Sequence, residues 1–244
     1  MKILHIDIET APMLAAVWQL KTDYIPIGHI IKDGYTLCFA AKWEGTKKVI
    51  FDSVHESKPK DMIKRAYDLI GQADAICHYN GAKFDMPILN REFLLQGLKP
   101  VDIVNIDLLR VVRKNFRFDS NKLDYVSQRL GLGAKTKHVG MQLWRDCMDG
   151  DDKAWAIMKK YNKQDVILLE SLYHKLLPWI DNHPNMNHFK ETGDSVCRNC
   201  GSKKITKYGF KMTATGVFQR YQCQGCGRIN RSRKQSVKSI GVVI

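Results

Sequence analysis

Asp7 and Glu9 stand two positions apart inside the apolar run ILHIDIETAP, residues 3–12. Alternate side chains of a strand share a face, so both carboxylates project to one side, about 7 Å apart. Two like charges beside a hydrophobic sheet repel each other and resist desolvation, which calls for a positive partner between them; a solvated turn just after the strand is the plain alternative. Asp85 follows the turn Asn80-Gly81 in HYNGAKFDMP, residues 78–87, and opens a helix with Pro87 in its first turn, where it serves equally well as an N-cap. Tyr161 and Asp165 in YNKQDV lie four apart on a helical pattern, on a face that continues through Ile157, Leu168 and Leu172. For these two, the alternatives are a core tyrosine and a surface ion pair of Asp165 with Lys160 or Lys163. Jointly, four carboxylates from three separated segments suit hard divalent cations, and a pair of such ions stabilises both oxygens of an in-line phosphoryl displacement.

A second constellation lies near the C-terminus. CRNCGS and CQGCGR hold Cys197, Cys200, Cys223 and Cys226, two C-x-x-C pairs separated by 22 residues. Four thiolates complete a closed tetrahedral shell, so one structural Zn2+ that folds the module without doing chemistry is expected, in preference to disulfides or free thiols. Gly201 and Gly227 follow the pairs and permit the tight turn around an ion. Lys207, Lys211, Lys203, Lys204, Arg220, Arg228 and Arg231 surround the cysteines, interleaved with Tyr208, Phe210, Phe218 and Tyr221. Bases stack on aromatic rings while phosphates pair with cations, which suits single-stranded nucleic acid; a solvated basic face over a small aromatic core is the alternative. Cys38, Cys77 and Cys147 stand alone in apolar or helical stretches and read as buried thiols. His78, His138, His183 and His188 show no ligand spacing and read as structural or exposed.

The elements that must position these groups follow from periodicity. KILHIDIE, GYTLCFAAKW and KKVIFDS read as strands, the last two joined by a turn at Gly45, PKDMIKRAYDLIGQA as a helix, and DAICHYN as a short buried strand. A helix from about Asp85 to Leu95 ends near Gly97, and VDIVNIDLLRVVRKNF, NKLDYVSQRLGL and the long stretch from Asp151 to Ile180 continue mostly helical. This order predicts an α/β domain, a mixed sheet flanked by helices, over residues 1–180. A linker over 181–194, marked by Pro184 and the loss of helical period, then leads to a small zinc ribbon at 195–233 and a basic tail at 234–244.

Net charge is +14 and the pI about 9.4, which favours a polyanionic partner. The excess is concentrated: residues 194–244 carry eleven Lys and Arg against the single acid Asp194. No apolar run approaches the roughly 20 residues of a membrane span, and no signal-peptide pattern precedes Asp7, so a cytoplasmic, soluble protein without a membrane partner is expected.

DIE, NGAKFD and YNKQD resemble the three exonuclease motifs of the DEDD superfamily of 3′–5′ exonucleases, in the tyrosine-bearing branch found in the proofreading domains of family B DNA polymerases. NKLDYVSQRLGL and HVGMQLWRD are similar to segments between the second and third motifs of stand-alone relatives, and the likeness covers about residues 1–178. The resemblance implies a ribonuclease H-like fold and two Mg2+ or Mn2+ ions. It implies that Asp7 bridges the ions, that Glu9 and Asp165 complete the site that activates water, that Asp85 helps hold the second ion, and that Tyr161 orients the attacking water. Asn80 and Phe84 would contact or wall the terminal nucleotides, Phe84 being equally plausible as core. The implied function is hydrolysis of nucleic acid, DNA favoured, from the 3′ end to nucleoside 5′-monophosphates. Proofreading would need a polymerase or another replication or repair partner in trans. The cysteine segment resembles zinc ribbons of transposase-associated and other nucleic-acid-binding proteins. Two rivals stay open: a catalytically silent nucleic-acid-binding protein on the same fold, and a structure-specific endonuclease or RNA-processing nuclease.

Overall fold

The computed structural model describes residues 1–136, 140–189 and 196–236. His138, the first two residues of HVGMQLWRD, the end of the expected linker and most of the basic tail lie outside them. The chain divides into two compact units, one spanning Lys2–Leu172 and one formed from Tyr173 onward.

The first unit is built on β1 (Ile3–Thr10), which is flanked by partners on both sides. A small hairpin of β2 (Leu14–Ala15) and β3 (Ile30–Lys32) follows, then β4 (Thr36–Trp43), which pairs antiparallel with β1, and β5 (Val49–Ser53), which pairs antiparallel with β4 at the sheet edge. After α1 (Pro59–Gly71), β6 (Ala75–His78) returns parallel to β1 on its other side. α2 (Asp85–Leu95) leads to β7 (Val104–Asp107), parallel to β6, so the five-stranded mixed sheet runs β5-β4-β1-β6-β7. The expected helix over VDIVNIDLLRVVRKNF is corrected here: its central VNID forms β7, and helix begins only at Leu108. Pairing with β6 draws residues 104–107 into the sheet, and a local cap sets where the helix then starts. Asp107 accepts a hydrogen bond from the Leu109 amide at 3.1 Å, capping α3 (Leu108–Asn115) and ending the strand. α4 (Leu123–Arg129), α5 (Met141–Met148) and α6 (Asp152–Leu176) complete the helices.

Alternation along β1 sorts the core. Leu4, Ile6 and Ile8 pack with Phe39, Met62, Ala66, Ile76 and Leu89 on the face covered by α1 and α2. His5, Asp7 and Glu9 project to the opposite face, where α6 supplies Met158, Tyr161, Asn162 and Asp165. On α6 the buried stripe runs through Met158, Tyr161, Asp165, Leu168 and Leu172, while Ile157 stays exposed, one position off the expected line.

In the second unit, the last turn of α6 from Tyr173 is followed by short turns at 177–179 and 186–189, then β8 (Ile205–Thr213), β9 (Gly216–Cys223) and β10 (Ile229–Arg231), an antiparallel sheet ordered β10-β9-β8. Residues 181–189 are tied in place: Asn187 and Val196 exchange hydrogen bonds of 3.0 and 2.9 Å, and buried His183 accepts from the Tyr173 hydroxyl at 2.8 Å. The unit begins upstream of position 181 because its cysteine turns hold the end of α6. Asn199 donates to the carbonyls of Leu177 and Ile180, and Arg228 donates to Pro178 and pairs with Asp181. These bonds engage main-chain carbonyls of the turn that follows α6.

Candidate metal centres

The four acids predicted from sequence converge. Asp7, Glu9 and Asp165 bring carboxylate oxygens within 4.8 Å of one another. Asp85 joins them from the start of α2, where the Ile8 amide donates to its Oδ1 at 3.1 Å and so ties the helix to β1 between the two strand acids. Asp165 is 1 % exposed and Asp85 4 %. The surrounding side chains hold the acids still. Asn162, fully buried, donates to Asp7 Oδ2 at 2.7 Å and accepts from the Cys38 thiol. Trp144 hydrogen-bonds Glu9 and meets the Tyr161 ring edge-on at 6.0 Å.

Crowding and burial make the free acids hard to ionise. Burial, reinforced by Asp85, Glu9 and Asp165, raises the Asp7 carboxyl well above its usual range. Burial pushes Glu9 up to about 8 against the pull of the Lys135 ammonium. Burial likewise lifts Asp85 to about 6, although the Ile8 amide favours its ionised form. Asp165 is raised by burial despite a direct ion pair with Lys135. A set of carboxylates this costly to charge in isolation fits a site completed by cations. Asp165 Oδ1, buried and without a hydrogen-bond partner among the described residues, likewise fits a carboxylate oxygen that ligates a cation.

Lys135 is the residue that sequence reasoning missed. Its Nζ contacts Asp165, donates to the Tyr161 hydroxyl at 3.1 Å, and lies 5.1 Å from the centroid of that ring. The partner of Asp165 is therefore neither Lys160 nor Lys163. Burial alone would lower the Lys135 pKa, but Asp165, Tyr161 and Asp7 raise it above the usual lysine range. Only the loop fold reveals it, since thirty positions separate it from Asp165. Asn162 had a weak signal, a polar residue three positions before Asp165 on the same helical face. Asp107 had none beyond its place ahead of a helix; it accepts from the Asn80 amide at 2.9 Å and fixes the turn that leads to Asp85.

Asn80 occupies that turn with φ 67, in the left-handed region that asparagine tolerates. Phe84, 45 % exposed, precedes α2 and is not core. His78 is structural: its Nδ1 accepts from the Gly81 amide at 3.1 Å and its Nε2 donates to Asn105 at 3.0 Å.

Cys197, Cys200, Cys223 and Cys226 form the second cluster. Sulfur separations of 3.7 Å for Cys197 and Cys226 and 3.5 Å for Cys200 and Cys223 are too long for disulfides. They approach the roughly 3.8 Å expected between thiolates 2.3 Å from one tetrahedral zinc ion. Amides of Cys226 and Gly225 favour the Cys223 thiolate against the effect of burial and bring its pKa down to about 7, which suits a ligand that must be deprotonated. Of the predicted nucleic-acid contacts nearby, Arg220 and Arg231 share one face of the sheet, Tyr221 lies on the other, Lys203 and Lys204 sit in the exposed loop before β8, and Arg228 is turned inward onto the α6 end.

A sequence profile described as RNase_H superfamily matches residues 31–177. No curated protein matches the chain. Among solved structures, the family B DNA polymerase from the hyperthermophilic archaeon Pyrobaculum calidifontis is similar, with a TM-score of 0.54 and 18 % identity over 72 % of this chain. This chain spans only 24 % of that polymerase.

Proposed function

This chain belongs to the RNase H superfamily, and from that premise we propose that it is a metal-dependent 3′–5′ exonuclease of the tyrosine-bearing DEDD branch, acting on DNA. The observation that carries the reading is the convergence of Asp7, Glu9, Asp85 and Asp165, with Tyr161 one turn before the last. The fold likeness to a family B DNA polymerase agrees with the motif resemblance.

In this reading Asp7, Glu9 and Asp165, with Asp85 directly or through water, hold two Mg2+ or Mn2+ ions. Bound, these ions supply an activated water and charge stabilisation at the leaving oxygen. The chain supplies the rest. Asn162 and the Ile8 amide fix the Asp7 and Asp85 carboxylates before substrate arrives, so little reorganisation accompanies the reaction. The Tyr161 hydroxyl, already placed beside Asp165 and Lys135, orients the water that attacks the terminal phosphodiester. The exposed Phe84 ring, next to Asp85 in the chain, and Asn80 in the turn before it are suited to the terminal nucleotides. The cysteine module holds one structural Zn2+ and aids nucleic-acid binding. A polymerase or repair partner would place the activity in replication.

The test uses single-stranded and duplex DNA and RNA, labelled at either end, with magnesium or manganese. A 3′ label released as mononucleotide while a 5′-labelled ladder shortens stepwise is the expected result. Asp7→Asn and Asp165→Asn should each slow cleavage roughly 1,000-fold or more. Internal cuts would establish the endonuclease rival, RNA-only cleavage the RNA-processing one, and a metal-loaded parent without activity the silent binding protein.

A further inference from the structure

The basic residues of the second unit are not equivalent. Arg198 and Arg228 point inward, donating to main-chain carbonyls of residues 178–183. Arg220 and Arg231 make no such bonds among the described residues. They are direct cross-strand partners on β9 and β10, and Phe218 and Lys211, paired on β9 and β8, project from the same face by alternation. Tyr208 joins them from the bulge in β8, since the Arg220 guanidinium lies 5.3 Å from its ring centroid. The Arg231 guanidinium lies 4.1 Å from the Phe218 centroid. Two guanidinium–ring pairs therefore line one face as an arginine-aromatic ladder, with Lys211 beside it; Tyr208 is exposed, and Phe218 is buried beneath the Arg231 guanidinium.

Among the described residues this ladder has no internal counter-charge. Like charges directly opposite one another destabilise a sheet, and from Ser195 to Ile244 the chain contains no Asp or Glu. The Arg220 Nε is buried and has no hydrogen-bond partner among the described residues. A face that places two arginines together, with no acid in the whole segment to offset them, is complementary to an external polyanion. The aromatic component narrows the choice. Guanidinium planes and tyrosine rings accept stacked bases, whereas a duplex keeps its base faces covered and offers only phosphates and groove edges.

We propose that the face built from Tyr208, Lys211, Phe218, Arg220 and Arg231 is a second nucleic-acid site, separate from the carboxylate centre, that binds single-stranded DNA by stacking bases on the arginine-aromatic ladder and pairing phosphates with the guanidinium edges. The choice of DNA rests on the exonuclease reading; the charge and stacking arguments do not. The opposite face, with Lys207 and Tyr221, is not part of the site.

The experiment uses the full zinc-loaded chain carrying Asp7→Asn, so that substrate survives, and reads anisotropy of a labelled short oligothymidylate across a salt series. Zinc content and circular dichroism report on the fold of each variant. Arg220→Met with Arg231→Met should weaken binding about tenfold or more and make the salt slope shallower by roughly 1.4, two phosphate contacts on a single strand. Arg220→Lys with Arg231→Lys should keep the slope yet still lose affinity, because lysine restores charge but not the planar stack. Lys207→Met should bind as the parent does. Single-stranded RNA, duplex DNA and heparin serve as competitors. Unchanged affinity in the double Met variant, a loss equal to that from Lys207→Met, preferred binding of RNA, or equal loss for heparin and DNA would each overturn the proposal. Cleavage is scored separately in the parent chain, so a chain that binds as described but does not cut removes the exonuclease reading and leaves this site, whereas one that cuts but ignores Arg220 and Arg231 removes this site alone.

Discussion

At the scale of single residues, the proposed two-cation reading of the carboxylate cluster is open to test at two side chains. Tyr161→Phe removes only the hydroxyl that touches Lys135; it should slow the chemical step roughly 10–1,000-fold, with little change in substrate affinity, under single-turnover conditions. An unchanged rate would return Tyr161 to a packing role beside Trp144. The raised carboxyl pKa values set the pH dependence of the metal-free protein. Glu9 at about 8 and Asp85 at about 6 bind protons in the folded chain that the unfolded chain releases at lower pH. Their contribution is therefore fully present below about pH 4 and is lost as pH rises towards 8. Melting of the chelated first unit should fall between pH 5 and 8.5, and saturating manganese should flatten or reverse that trend, because the ions bind the deprotonated set. Lys135→Met should lower metal-free stability at pH 8 by roughly 1–3 kcal/mol, leaving Asp165 without its ammonium. It should also enlarge the manganese-induced rise in melting temperature; an unchanged rise would mean that Lys135 and the ions do not compete for Asp165.

At the scale of elements, the site depends on how β1, the turn before α2 and the middle of α6 are brought into register. The turn is the most constrained of these. A Cβ added at Gly81 would lie 2.5 Å from Cγ of His78, whose ring is buried and hydrogen-bonded on both nitrogens. Gly81→Ala should therefore cost roughly 1–3 kcal/mol and reduce metal-dependent cleavage by moving Asp85, even though Gly81 touches no substrate. Denaturant unfolding paired with the cleavage assay tests both parts, and wild-type values in both would show that the turn gives way without consequence. The β-bulge where Glu9 and Thr10 meet β4 is a second local adjustment at the site, placed where the strand must release its pairing and still aim Glu9 at α6.

At the scale of the whole molecule, the chain combines a unit with a large apolar core and a unit whose small sheet has one strand largely in solvent. β8 is exposed along almost its entire length, and the zinc proposed for the cysteine cluster would substitute for the core that so short a segment lacks. Removing zinc with a strong chelator, or changing Cys197 and Cys223 to Ser, should abolish the ordered β8–β10 sheet and leave the unit spanning Lys2–Leu172 folded. Circular dichroism and limited proteolysis would show this as loss of strand signal and cleavage confined to residues beyond 173. A first unit that unfolds together with the second would contradict it. No described helix is long and apolar enough to cross a membrane.

Much of this protein was legible in its sequence because local chemistry is expensive to hide. An apolar strand that carries Asp7 and Glu9 on one face, a turn delivering Asp85, and a helix with Tyr161 and Asp165 four apart pointed to a carboxylate cluster, since each placement opposes ordinary burial and a shared cation would account for them jointly. The cysteine spacing pointed to a four-thiolate cluster for the same reason. What sequence could not show were relations between groups distant in the chain. Lys135 meets Asp165 only because a loop folds back over α6, Asn162 reaches Asp7 across 155 positions, and VNID becomes a strand because β6 offers it a parallel partner, where short-range periodicity favoured helix. The division of the ribbon's arginines was equally hidden: Arg228 and Arg220 are both basic residues near cysteines, and the strand register and the carbonyls at the end of α6 decide which one faces solvent. Pattern determines which chemistry a chain carries, and tertiary contact determines which of its charges are already satisfied.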